Sequence, residues 1–202
     1  MPSAWQAATA VQFAPQLLAY AAMLMWARAN PRVIERLGLI PTLIPQGLRW
    51  GLVTGLILGT FNVTIILWVV PWLGNDILFL QQTPHARVPT LIMLPWAIAL
   101  IAVCVEVNFR GFLLGRLLAL SAGTASIRYA RIQAGLAVAI SALTFAFDPF
   151  MVTTFKHLHW IAVWDGVVWA SLWVHLRNLY VPIVAHAVEV IVMYAVLKNT
   201  LV

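Results

Sequence analysis

The stretch V-E-V-N-F-R-G-F-L-L-G-R-L, residues 105–117, sets Glu106, Asn108 and Arg110 within five residues of one another. It follows directly on an apolar run, Val88 to Cys104, that contains no charge. A run of that kind reads as a membrane-spanning helix. An ionisable group there costs about 2.5–3.5 kcal/mol on insertion scales, so such groups face the interior of a helix bundle and need a partner. Glu106 and Arg110 stand at i and i+4 and share one helical face. One reading is a structural ion pair that reduces the cost of burying either charge. The other makes Glu106 a general base whose ionisation Arg110 tunes. Asn108, two residues on from Glu106, points to another side.

The rest of the chain supports the membrane reading. Of 202 residues, 63% are hydrophobic and 9% charged, with mean hydropathy +0.93. A soluble domain is about a quarter charged. The expected fold is an all-α, polytopic transmembrane helix bundle, forming a single membrane domain over 1–202. The net charge of +6 does not indicate nucleic acid, because no Lys/Arg run forms a binding arm. Basic residues in a membrane protein gather instead in cytosolic loops. The single cysteine, Cys104, excludes an internal disulfide and is expected to pack within its apolar run. No cleavable signal peptide is evident, since residues 1–27 lack a basic leader.

Six spans are expected, over residues 9–27, 50–73, 89–107 (extending to about 120), 131–149, 158–176 and 179–198. Nine Arg residues fall in the loops 28–49, 110–131 and 177–179; only Arg87, Lys156 and Lys198 fall on the other side. That bias puts the first group in the cytosol and both termini outside, in a bacterial inner membrane. The segment Asn30 to Leu48, with Pro31, Pro41 and Pro45, reads as interfacial rather than spanning. Trp160, Trp164, Trp169 and Trp173 recur at helical spacing, as a packing or lipid-facing stripe or as the wall of a substrate site.

Further ionisable groups fall within spans. His186 sits between Ala185 and Ala187, which leave room beside its ring for water, a peptide or a planar tetrapyrrole, and Glu189 follows at i+3. Asp148 precedes Pro149, a pattern that also ends a helix. His157 and His159 lie in F-K-H-L-H-W, too closely spaced to share a helical face. Asp165, in the aromatic helix, is placed to pair with a His or Arg from a neighbour.

E-V-N-F-R-G-F-L-L resembles the first motif, E-E-x-x-x-R followed by F-R-G-F-L, of the CPBP intramembrane proteases (the CAAX-protease and bacteriocin-processing family). D-G-V-V-W-A-S-L-W-V-H-L-R-N-L-Y-V-P-I-V-A-H-A is similar to that family's Gly-containing helix, basic turn and Pro-Ile-x-x-His-Ala pattern. S-A-L-T-F-A-F-D falls in the region of its F-x-x-x-H motif. A branch associated with protein-sorting systems looks closest. The resemblance covers a core of residues 89–197.

What the resemblance implies is peptide-bond hydrolysis in or beside the membrane, on a membrane-anchored or sorting-signal peptide. A glutamate and a histidine would activate water, and a later His and Asn would hold the oxyanion. Arg110 matches the motif arginine and Glu106 its second glutamate; the first falls on Val105. The second-motif histidine falls on Pro149, beside Asp148, or on His159 if Phe155 begins the motif. His186 matches the later histidine, and Val190 stands where the family has Asn. The candidate site is therefore Glu106 as base, Arg110 beside it, His186 as oxyanion donor, and Asp148 or His159 as the missing partner, with no cofactor or metal. Two rival expectations stand beside this intramembrane endopeptidase. One is a catalytically inactive subunit that scaffolds a membrane protein complex; the other is a tetrapyrrole-binding subunit with His186 or His175 as ligand. The expected partners are the lipid bilayer and either a membrane-embedded peptide or protein substrate or the partner subunits of such a complex.

Overall fold

The computed structural model describes residues 4–120 and 127–201, with side chains from residue 13 onward except that of Pro84. The extreme termini and the middle of the expected 110–131 loop therefore lie outside the described residues. Within them the chain is helical and contains no strand. Helix α1 covers Ala4–Arg28 and α2 the short Val33–Leu37. Helix α3 runs over Ile44–Thr64 and continues through a π-wound Ile65–Val69 to Val70–Trp72. Helix α4 is Thr90–Leu120 and α5 is Ile127–Ala146. Helix α6 is Pro149–Phe155, α7 is Ile161–Leu176 and α8 is Tyr180–Leu201.

Among the described residues four stretches are long and apolar enough to cross a membrane: Val33–Trp72, Thr90–Leu120, Ile127–Ala146 and Tyr180–Leu201. Of the six spans expected, the first, over 9–27, falls partly outside the residues described with side chains. Helix α7 is apolar but has 16 residues, about 24 Å of rise against a hydrocarbon core of about 30 Å.

The most extensive pairing joins α3 to α8. Its cause is a glycine every fourth residue on α3: Gly47, Gly51, Gly55 and Gly59 are all buried. Small residues let two backbones approach closely where no hydrophobic effect drives helices together. At Gly55 a Cβ would stand 2.6 Å from the Ala185 carbonyl oxygen, so this position admits only glycine without a shift.

Helix α4 breaks at Leu94 (φ −104, ψ 123), where the residue before Pro95 is forced out of the helical region. It is regular again over Ile98–Glu106, then opens into π turns over Val107–Leu114. Such wide turns often accompany functional sites. Cys104, expected to pack, is exposed on the outer surface of α4; its helical face turns away from the buried Ala102 and Glu106. The segment read as interfacial is short helix and turn, closed by Gly38 in the left-handed region (φ 75). It docks on the loop after α7: Asn178 Nδ2 donates to the Leu43 carbonyl at 2.9 Å.

Candidate functional site

Helices α4 and α8 answer why charge is tolerated at this depth. Glu106 Oε1 accepts from Arg110 Nη1 at 3.1 Å and from His186 Nδ1 at 2.8 Å. Glu106 and Arg110 are 0% exposed and His186 7%. Arg110 lies over two aromatic faces, 4.8 Å from the Phe145 ring and 5.0 Å from Trp169. Its Nε and Nη2 have no hydrogen-bond partner; the ring faces supply electrostatic stabilisation in their place. Gly166 of α7 makes the space, since a Cβ there would stand 3.1 Å from Nη2. His186 stacks on Trp169, ring centroids 4.5 Å apart and planes 16° from parallel, and meets Phe145 edge-on. Its ring is thus fixed by a hydrogen bond at one nitrogen and by packing on one face.

A second polar cluster lies beside the first. Asn62 of α3 is fully buried, and its Nδ2 donates to Asp165 Oδ1 and Oδ2 at 3.1 Å each and to Glu189 Oε1 at 2.8 Å. Trp164 Nε1 donates to Asn62 Oδ1 at 2.9 Å. One amide nitrogen thus lies within hydrogen-bond distance of both carboxyl groups. Two carboxylates brought this close repel each other, and a proton shared between them relieves the repulsion. Asp165 thus pairs with an amide rather than with the His or Arg expected. Sequence reasoning gave Asn62 no role in the site; its only signal is one amide in an apolar run.

Both clusters border one elongated cavity of about 280 Å³. His186, Asp165, Glu189 and Trp169 line its inner end. Lys198, nine residues beyond Glu189 on α8, lines it about 13 Å further along. His85, in the turn Pro84–Arg87, also lines it. Between these poles the wall is apolar, and it includes Val105 and Val190. The Trp stripe divides: Trp169 faces this cavity, Trp173 donates to the Leu37 carbonyl, and Trp160 is exposed.

Of the five site residues expected, Glu106, Arg110 and His186 come together. Asp148 lines the same cavity but is occupied elsewhere: its Oδ1 accepts from the Phe150 amide at 2.9 Å, capping α6, and from Gln16 at 2.8 Å. His159 pairs through Nδ1 with the Lys156 carbonyl and packs edge-on against Phe147. Neither joins Glu106. His157 packs on Phe79, and His175 pairs with the Ser171 carbonyl near the end of α7. Among the described residues no three His, Cys, Asp or Glu side chains are placed to hold a metal ion.

Chemically, the arrangement holds one imidazole by a buried carboxylate and sets it beside two carboxyl groups bridged by one amide, all at the end of a mostly apolar cavity. No family model, no curated protein and no solved structure matches the chain.

Proposed function

We propose that this chain is an intramembrane peptide hydrolase of the CPBP type, with His186 as its water-activating base. The observation that carries the reading is the 2.8 Å contact between Glu106 Oε1 and His186 Nδ1, with the imidazole lining the cavity. A carboxylate at Nδ1 keeps the proton on that nitrogen and leaves Nε2 as an acceptor. A water at Nε2 gives up a proton as its oxygen attacks a peptide carbonyl. Glu106 then acts as a positioning residue, since both its interactions are made through the buried Oε1. The mostly apolar cavity wall suits a membrane-embedded peptide segment.

The test is cleavage of a peptide with one apolar segment by the purified, reconstituted chain. Glu106→Gln keeps the size but no longer enforces the tautomer, and loss of orientation in such a pair costs about 10⁴-fold in other enzymes. A loss of that order in a folded variant supports the reading. Cleavage at the unaltered rate refutes it.

A second reading has its own observation. Val105 and Val190 line the cavity at two positions where the resemblance implies Glu and Asn. In that reading the chain is an inactive subunit that scaffolds a membrane complex, and it co-purifies with defined membrane proteins through detergent extraction. No comparable observation favours the tetrapyrrole-binding reading. The finer topology, six spans with both termini outside a bacterial inner membrane, belongs to either surviving reading; reporter fusions to each loop test it.

A further inference from the structure

We infer that Glu189, held with Asp165 by Asn62, is the acid that protonates the leaving nitrogen in the hydrolysis proposed above. The inference rests on that reading and adds the second half of the reaction. Three observations lead to it.

Glu189 and His186 are three residues apart on α8 and both line the inner end of the cavity. One substrate there reaches both. Glu189 Oε1 is taken by Asn62, whereas Oε2 has no partner. Asn62 Nδ2 holds Asp165 and Glu189 within hydrogen-bond distance of one nitrogen, and two carboxyl groups that close carry one proton between them rather than two charges. An ion pair would leave no such proton, and nothing in the Glu106–Arg110–His186 group uses this one. Helix packing alone does not need it either, since two aliphatic side chains fill the same space without a buried polar group.

The step balances. Water loses a proton to His186 Nε2 as its oxygen bonds to the carbonyl carbon. The C–N bond breaks, and the departing nitrogen takes the proton from Glu189. The products are a carboxylic acid and an amine. The enzyme is then left with a protonated His186 and a proton-deficient Asp165–Glu189 pair. Transfer of the His186 proton to that pair through water in the vacated cavity restores the starting state. Asp165 and Asn62 are positioning residues: Asp165 holds the shared proton and Asn62 fixes the orientation of both carboxyl groups.

The test separates acid catalysis from support of the fold. The apolar-segment peptide is used in two forms, with an amide or an aryl ester at the scissile position. An amide nitrogen leaves only when protonated; an aryl oxide leaves without a proton. Glu189→Gln is expected to lower amide cleavage by about 10²-fold or more and to leave ester cleavage close to wild type. Retained ester cleavage also shows that the variant's site is folded. Equal losses on both substrates, or no loss on the amide, overturn the inference while leaving the role of His186 standing. If the wild-type chain cleaves neither substrate, the hydrolase reading itself fails and the inference falls with it. If Glu189→Gln does not fold, wild type alone decides, using a series of ester leaving groups of rising basicity. A rate nearly independent of leaving-group basicity supports an acid in place, and a steep fall contradicts it.

Discussion

The Glu106 carboxylate and the His186 imidazole meet at 2.8 Å across 80 residues of sequence, both buried. Arg110 completes the arrangement on the same carboxylate oxygen. Three groups, each expensive at membrane depth, thereby lower one another's cost.

That relationship predicts how the cluster fails. Arg110→Ala leaves the Glu106 carboxylate without its cation, and breaking a buried pair from one side costs about 3–5 kcal/mol. Arg110→Lys restores the charge but not the flat surface over Phe145 and Trp169, so its loss is intermediate. The double change Glu106→Gln with Arg110→Met is expected to cost less than Arg110→Ala alone. Unfolding titrations in detergent read all three.

Asn62 stands where α3, α7 and α8 meet. Asn62→Ala removes the donor shared by Asp165 and Glu189 and leaves Trp164 Nε1 unpaired. Hydrogen bonds to charged groups contribute about 1.5–3 kcal/mol, and a loss of at least that size is expected. Asn62→Asp, nearly the same shape, sets a third carboxyl against two others and is expected to be worse than Ala. A higher unfolding midpoint for the Asp variant than for Ala rules this account out.

Gly55 and Gly135 should respond in opposite ways to alanine. At Gly55 the new methyl meets the Ala185 carbonyl at 2.6 Å, so α3 and α8 must separate. Overpacking of this kind costs about 1–3 kcal/mol. At Gly135, within α5, nothing lies within 4 Å of the added carbon. Gly135→Ala is expected to raise stability by about 0.5–1 kcal/mol through helix propensity. Thermal unfolding of the two variants side by side checks the sign at each.

His85 supplies a pH dependence outside the spanning helices. It packs against Phe150 and Phe155, and burial pushes its proton affinity below the ordinary value of 6.5. The neutral ring is therefore the form that docks. As pH falls through about 6.5 the unfolded or opened turn takes up a proton before the docked one does, and docking weakens. Above that pH the contribution is complete. Hydrogen exchange in the turn Pro84–Arg87 should rise on acidification in the wild type and be pH-independent, beyond the intrinsic rate, in His85→Phe.

Much of this architecture could be read along the chain. The break between α5 and α6 was visible in Asp148-Pro149, because Asp before Pro both stops a helix and caps the next. The Glu106–Arg110 pair was visible because i and i+4 share a face whatever surrounds them. His186 and Glu189 sharing a face was visible for the same reason. The Glu106–His186 contact was not, since it depends on how α4 packs on α8, and no local spacing fixes that. Asn62 was the least legible: a single amide in an apolar run gives no sign of which helices will bring it acids. Asp148 and His159 were misplaced relative to Glu106 for a local reason. Each has a backbone partner within three residues, and such nearby hydrogen bonds form whatever the distant helices do.

The most direct test of the central claim is product mapping by mass spectrometry. The purified chain, reconstituted in lipid vesicles, is incubated with a peptide bearing one apolar segment, alongside a folded His186→Gln variant. The account predicts new peptide termini within or at the edge of the apolar segment with wild type, and none with His186→Gln. Intact peptide in both reactions, or the same new termini in both, would contradict it.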